Sequence, residues 1–137
     1  MKALFLDIDG VLNCATTKER YRDSCIGICP ERTKILLRIL METECDVVLS
    51  STWRLYPELK QEVEKHIYLY GCTDKVVGEV RGVEIALYLK KHPEITRYAI
   101  VDDSADMLEE QEDCFFQTTW KDGLTAKIAK QIILHLK

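Results

Sequence analysis

Apolar and polar positions along the chain fall into alternating segments of two kinds. Residues 2–8 hold the run Ala3-Leu4-Phe5-Leu6, which breaks at Asp7; such a run reads as a strand buried on both faces. Residues 13–29 are irregular, polar and contain cysteines. Pro30 suits the first turn of a helix in which Ile35, Leu36, Ile39 and Leu40 recur at helical spacing. Val47-Val48-Leu49 reads as a second short strand. Pro57 predicts another helix start, with Leu59, Val63, Ile67 and Tyr70 on its apolar face and its end near Gly71. Val76 to Val80 predicts a short edge strand. From Gly82 the spacing of Val83, Ala86, Leu87 and Leu89 is helical and stops before Pro93. Tyr98 to Val101 predicts a third strong strand and Cys114 to Gln117 a fourth. Residues 124–136 form an amphipathic terminal helix through Leu124, Ile128, Ile132, Ile133 and Leu136.

This alternation implies an α/β fold, a Rossmann-like and mostly parallel sheet with helices on both faces. The chain has 137 residues and no internal repeat or linker, so one domain over residues 1–137 is expected. Ligands of such sheets bind beyond the carboxyl ends of the strands.

Three predicted strands end in groups that share one chemistry. The first ends at Asp7 and Asp9, which strand alternation would direct to the same side, with Gly10 free to turn just beyond. The second ends at Ser50-Ser51-Thr52 and the third at Asp102-Asp103. Carboxylates at a buried strand end are costly unless a cation or a reaction uses them. Carboxylates suit magnesium, and strand-end hydroxyls suit phosphate oxygens. Arg81, near Gly78 and Gly82 at a helix start, is the expected phosphate cation, with Lys75 a nearby competitor. A calcium loop is disfavoured, because the twelfth position from Asp7 is Lys18 rather than an acid.

Composition narrows the reading further. Net charge is −4, from 23 acidic and 19 basic residues, which does not suggest a strongly basic nucleic-acid binder. No apolar stretch approaches a membrane span, and the N-terminus shows no signal-peptide pattern. A cytoplasmic location is therefore expected. The six cysteines read as free thiols, with Cys45 and Cys114 flanking strand-like runs. Cys25 and Cys29 have roughly zinc-like spacing but lack a second pair of ligands. Lys18, Arg20 and Arg22 read first as a solvated loop, with contact to an anionic substrate as the alternative. His66, His92 and His135 have no partner pattern.

The strand-end motifs resemble those of the haloacid dehalogenase superfamily, the aspartate-nucleophile phosphatases. Leu4 to Val11 matches its first motif, Val47-Val48-Leu49-Ser50 its second, Arg81 its third and Ala99-Ile100-Val101-Asp102-Asp103 its fourth. The stretch Leu49-Ser50-Ser51-Thr52-Trp53-Arg54 also resembles a small branch found as domains of RNA-repair proteins. The resemblance implies Asp7 as nucleophile and Asp9 as acid/base. It implies a magnesium ion between the Asp7 carboxylate, the Asp9 carbonyl and Asp102 or Asp103, with Asp106 an alternative to Asp103. Ser50 or Ser51, together with Arg81, would hold the phosphoryl group. The segments 11–29 and 52–80 are too short for a substantial cap domain, which implies an open site, suited to a large phosphorylated substrate such as a nucleic-acid end or a phosphoprotein, or else covered by oligomerisation. The expected activity is magnesium-dependent phosphomonoester hydrolysis. Transfer to another acceptor and a non-catalytic phosphate-sensing or interaction module are the alternatives. No membrane partner is expected.

Overall fold

In the computed structural model, which describes residues 1–22 and 25–137, the chain begins with β1 (Lys2–Leu6). A small antiparallel ribbon follows, β2 (Arg20–Tyr21) with β3 (Cys25–Ile26). Asp23 and Ser24, in the stretch expected to be irregular, lie outside the described residues. The remaining order is α1 (Pro30–Thr43), β4 (Asp46–Leu49), a 3₁₀ turn (Thr52–Leu55), α2 (Pro57–Glu64), β5 (Leu69–Cys72), α3 (Arg81–Lys91), β6 (Arg97–Asp102), a 3₁₀ segment (Glu109–Cys114), β7 (Phe115–Gln117) and α4 (Ala126–Leu136). Five strands make one sheet in the order β5-β4-β1-β6-β7, and every pairing in it is parallel.

Period-two alternation in the central strands builds two apolar layers. Leu4, Leu6, Val47, Leu49, Ala99 and Val101 pack with Leu36 and Ile39 of α1, Val63 of α2, and Ile132 and Leu136 of α4. Ala3, Phe5, Val48 and Ile100 face the opposite way, onto Ile85 and Tyr88 of α3. Phe5 meets Tyr88 and Tyr98 edge-on, with ring centroids 5.8 and 5.9 Å apart. The expected helices on both faces are therefore present.

Two expectations in the middle of the chain fail for related reasons. The helix begun at Pro57 stops at Glu64, short of Gly71. Residues beyond it turn back and add β5 to the sheet, with Leu69 beside Val47 and Cys72 beside Leu49. The spacing of Leu59, Val63 and Ile67 is genuinely helical, but β4 presents an unpaired edge that captures the next aromatic and aliphatic residues. Gly71 lets the Tyr88 hydroxyl lie against this strand, since a β-carbon there would collide with it. Val76 to Val80 joins no strand among the described residues. It forms a turn closed by Glu79 N–H to the Val76 carbonyl (3.1 Å), with Gly78 at φ +80° and Val77 90% exposed.

The two faces of α4 give a test of the layer. Ile132 is fully buried whereas Leu134 is 70% exposed. Ile132→Ala is expected to cost about 3 kcal/mol, read as a lower midpoint in chemical denaturation, and Leu134→Ala to leave the midpoint within about 0.5 kcal/mol of wild type.

Candidate active site

Parallel register places the strand ends level with one another. Leu6 pairs with Leu49 on one side and with Val101 on the other. The next residues, Asp7, Ser50 and Asp102, therefore stand in one row on the α3 side of the sheet. Backbone bonds hold the row, from Asp7 N–H to the Val101 carbonyl (3.1 Å) and from Ser50 N–H to the Leu6 carbonyl (2.9 Å).

Asp7, Asp102 and Asp103 bring carboxylate oxygens within 4.8 Å of one another, among the described residues the one such group able to hold a metal ion. Arg81, the first residue of α3, reaches into this group. Its Nη1 lies 2.6 Å from Asp102 Oδ2 and 3.2 Å from Asp7 Oδ1. Three carboxylates against one guanidinium leave the cluster with excess negative charge. Burial, then the Asp102 charge, pushes the Asp7 carboxyl up to about 8 despite Arg81. Burial and Asp102 also raise Asp103. Burial opposes the Arg81 charge, but Asp102 and Asp7 outweigh it and hold the guanidinium above its ordinary range. Oxygen-only donors with unbalanced negative charge fit a hard divalent cation such as magnesium.

Close backbone approach makes room for the cluster. Gly10 sits at φ +81°, and a β-carbon on it would overlap the Asp103 carboxylate. The Gly10 carbonyl accepts from Thr118 Oγ1 at 2.5 Å. Gly82 lets the start of α3 press against residues 107–111, where Gln111 Nε2 donates to the Gly82 carbonyl (2.8 Å) and Gln111 Oε1 accepts from Leu108 N–H (2.8 Å).

The expected site residues divide into distinct surroundings. Asp7, Arg81, Asp102 and Asp103 come together. The Ser50 hydroxyl is fully buried and has no hydrogen-bond partner among the described residues. Ser51 Oγ instead accepts from Trp53 N–H at 3.1 Å, capping the 3₁₀ turn. Asp9 lies outside the carboxylate group and is exposed. Strand β1 ends at Leu6, so alternation no longer governs the direction of Asp9. Its Oδ1 accepts from Asn13 Nδ2 (2.9 Å) and its Oδ2 from Trp53 Nε1 (3.2 Å). Lys75 is exposed, and Asp106 accepts from Ser104 Oγ at 2.7 Å rather than joining the cluster. All six cysteines are free thiols.

Sequence reasoning gave Arg54 no role beyond its place in the stretch after Ser50, and overlooked Glu84. Both are almost fully buried, with side chains 3% and 5% exposed, and pair at 3.1 Å. Arg54 also donates to the carbonyls of Thr73 (2.7 Å), Ser50 (3.2 Å) and Ser51 (2.8 Å), and Glu84 Oε2 accepts from Val76 N–H (2.8 Å). This buried fork ties the ends of β4 and β5 to the first turn of α3, the turn that carries Arg81. A signal existed, because Glu84 falls on the buried stripe of α3 with Ile85 and Tyr88. Asn13 and Thr73 gave none. Thr73 follows the register partner of Leu49, and its buried hydroxyl also lacks a partner among the described residues.

A parallel α/β sheet with an aspartate cluster and a guanidinium at its strand ends defines a HAD-type domain. The family described as "HAD domain in Swiss Army Knife RNA repair proteins" matches residues 3–129, and the chain belongs to it. Comparison with curated proteins and with solved structures gave no match.

Two outcomes follow from the site's electrostatics. A raised native carboxyl binds its proton more tightly than the unfolded chain does, so stability of the metal-free protein is expected to fall as pH rises from about 4 to about 8. Asp7→Asn should flatten that dependence and raise the melting temperature near pH 7 by several degrees, at about 4 °C per kcal/mol. Thermal melts across that range check both. Arg54→Met leaves Glu84 buried without its partner and is expected to cost about 3–5 kcal/mol in denaturant unfolding.

Proposed function

We propose that the protein is a magnesium-dependent phosphomonoesterase working through an aspartyl-phosphate on Asp7, with a phosphorylated nucleic-acid end as its substrate class. The observation that carries this reading is the level row of Asp102, Asp7 and the Ser50 hydroxyl, unpartnered among the described residues, with Arg81 bonded to both carboxylates.

The residues divide the chemistry among them. Asp7, Asp102 and Asp103 would hold the magnesium ion. When bound, the ion supplies the positive charge that lets an anionic carboxylate approach an anionic ester. Asp7 attacks phosphorus as the bond to the leaving oxygen breaks, and Asp9 gives that oxygen its proton. In the second half Asp9 takes a proton from water, the water oxygen attacks phosphorus, and the bond to Asp7 breaks. Inorganic phosphate leaves, with Asp7 free and Asp9 protonated again. Arg81 balances charge on the phosphoryl oxygens, and Ser50 Oγ donates to one of them.

The substrate class rests on what surrounds the row. Among the described residues the segment after β1 holds a two-stranded ribbon, too small to enclose a substrate as a cap domain would. Lys18, Arg20 and Arg22 are exposed on or beside that ribbon, with Arg22 5.4 Å above the Tyr21 ring. Beyond β7, Trp120 is 43% exposed beside exposed Lys121. Cations with exposed aromatic rings suit a phosphodiester backbone and unstacked bases. The family's description names RNA repair. Six free thiols accord with a reducing compartment such as the cytoplasm. Among the described residues no helix is long and apolar enough to cross a membrane.

The reading is tested by p-nitrophenyl phosphate hydrolysis with magnesium, with EDTA, and with Asp7→Asn. Turnover should need the metal and fall to background in the variant. A folded wild type that binds phosphate without turnover would instead mark a sensor. A panel of oligonucleotides bearing 5′ or 3′ phosphates, nucleotides, sugar phosphates and phosphopeptides should show the highest kcat/KM on an oligonucleotide end. Preference for a sugar phosphate would sink the substrate assignment.

A further inference from the structure

Asp9 lies where nothing in the sheet fixes it. It follows the end of β1 and is exposed, and a free carboxylate there would sample several rotamers. Yet each of its oxygens has its own donor, and both donors are buried. Asn13 is 0% exposed and donates from Nδ2 to Oδ1 at 2.9 Å. Trp53 is 3% exposed and donates from Nε1 to Oδ2 at 3.2 Å.

Each donor is itself held. Asn13 Oδ1 accepts from Gly10 N–H at 2.9 Å, so its amide bridges the turn that follows the nucleophile strand. Trp53 N–H donates to Ser51 Oγ at 3.1 Å, and the Tyr21 ring leans against the indole at a centroid distance of 6.5 Å. Trp53 therefore reaches Asp9 from the turn that begins next to Ser50, 44 residues further along the chain. A buried indole N–H needs a partner, and here that partner is the exposed Asp9 carboxylate.

We propose that Trp53 and Asn13 are positioning residues that aim the Asp9 carboxylate for proton transfer to the leaving oxygen. This rests on the phosphatase reading, in which Asp9 is the acid/base. Orientation matters because a displacement of about 1 Å at a reacting group can cost about 10²-fold in rate. The clamp also joins two functions on one turn. Ser50 would meet the phosphoryl group, while Trp53 holds the proton donor. Tyr21 extends the contact to the ribbon, so the ribbon supports the same indole.

Leaving-group dependence distinguishes aiming from packing. p-Nitrophenolate departs without a proton, whereas an alkoxide needs one. Trp53→Phe keeps an aromatic ring and removes the N–H. Asn13→Asp keeps the oxygen that accepts from Gly10 and replaces the donor with a second carboxylate oxygen. In variants that melt cooperatively, kcat/KM, which reports only the step in which the leaving group departs, is expected to fall about 10–100-fold on glycerol 2-phosphate, the lower part of an acid/base contribution, and to change by less than about 3-fold on p-nitrophenyl phosphate. Equal losses of kcat/KM on the two esters, or no loss, would overturn the proposal.

A second readout needs no turnover. The chain has two tryptophans, Trp53 and Trp120, so its indole N–H spectrum holds two signals. Asp9→Ala should move the Trp53 signal and speed its exchange with solvent while leaving Trp120 in place. An unmoved Trp53 signal would overturn the contact itself. A wild type whose Trp53 signal responds but which hydrolyses neither ester takes down the phosphatase reading, and with it the role assigned to the pair.

Discussion

Parallel register is the constraint on which the site depends. Because Leu6 lies level with both Leu49 and Val101, the polar residues that follow are brought side by side at strand spacing. A slip of one residue in either pairing would turn Ser50 or Asp102 to the opposite face, into the layer of Leu36, Ile39 and Ile132. The apolar packing that fixes the register therefore fixes the chemistry as well. Alternation sends Phe5, Val48 and Ile100 toward α3, and the same alternation sends Asp7, Ser50 and Asp102 toward the helix whose first residue is Arg81.

The cluster so formed opposes folding. Asp7 and Asp102 are almost completely buried, Asp103 stands close by, and one guanidinium pairs with the first two. The rest of the fold supplies what holds them there. Gly10 admits the Asp103 carboxylate, Gly82 admits the segment that braces α3, and Arg54 with Glu84 locks the ends of β4 and β5 to the first turn of α3. The buried Ser50 hydroxyl without a partner belongs to the same pattern. An unpaired buried polar group is tolerated where a ligand completes it.

Two levels of control meet around the row. The row is held at the strand ends by backbone bonds, from Asp7 N–H to the Val101 carbonyl and from Ser50 N–H to the Leu6 carbonyl. Asp9 lies beyond the strand and is held by side chains from two other segments, Asn13 and Trp53. The nucleophile of the proposed reaction is thus placed by backbone pairing and its acid/base by side-chain hydrogen bonds. Such a division lets the second group adjust to a leaving group without disturbing the first.

The α/β alternation, four of the five predicted strands, and the clustering of Asp7, Arg81 and Asp102 were legible in the sequence, because buried strands announce themselves by continuous apolar runs and their ends by abrupt polarity. The strand at Leu69–Cys72 was not, because Val63 and Ile67 keep helical spacing and only the open edge of β4 decides where the helix stops. What holds Asp9 was not legible, because β1 ends at Leu6 and the partners of its carboxylate, Asn13 and Trp53, come from beyond the strand. Arg54 with Glu84, and Trp53 with Asp9, pair residues 30 and 44 positions apart. Local pattern carries no record of such pairs. The chain alone determined which residues are chemically capable, through composition and period. Packing of distant segments decided which of them meet, because register, burial and the aim of a side chain exist only once the sheet has formed.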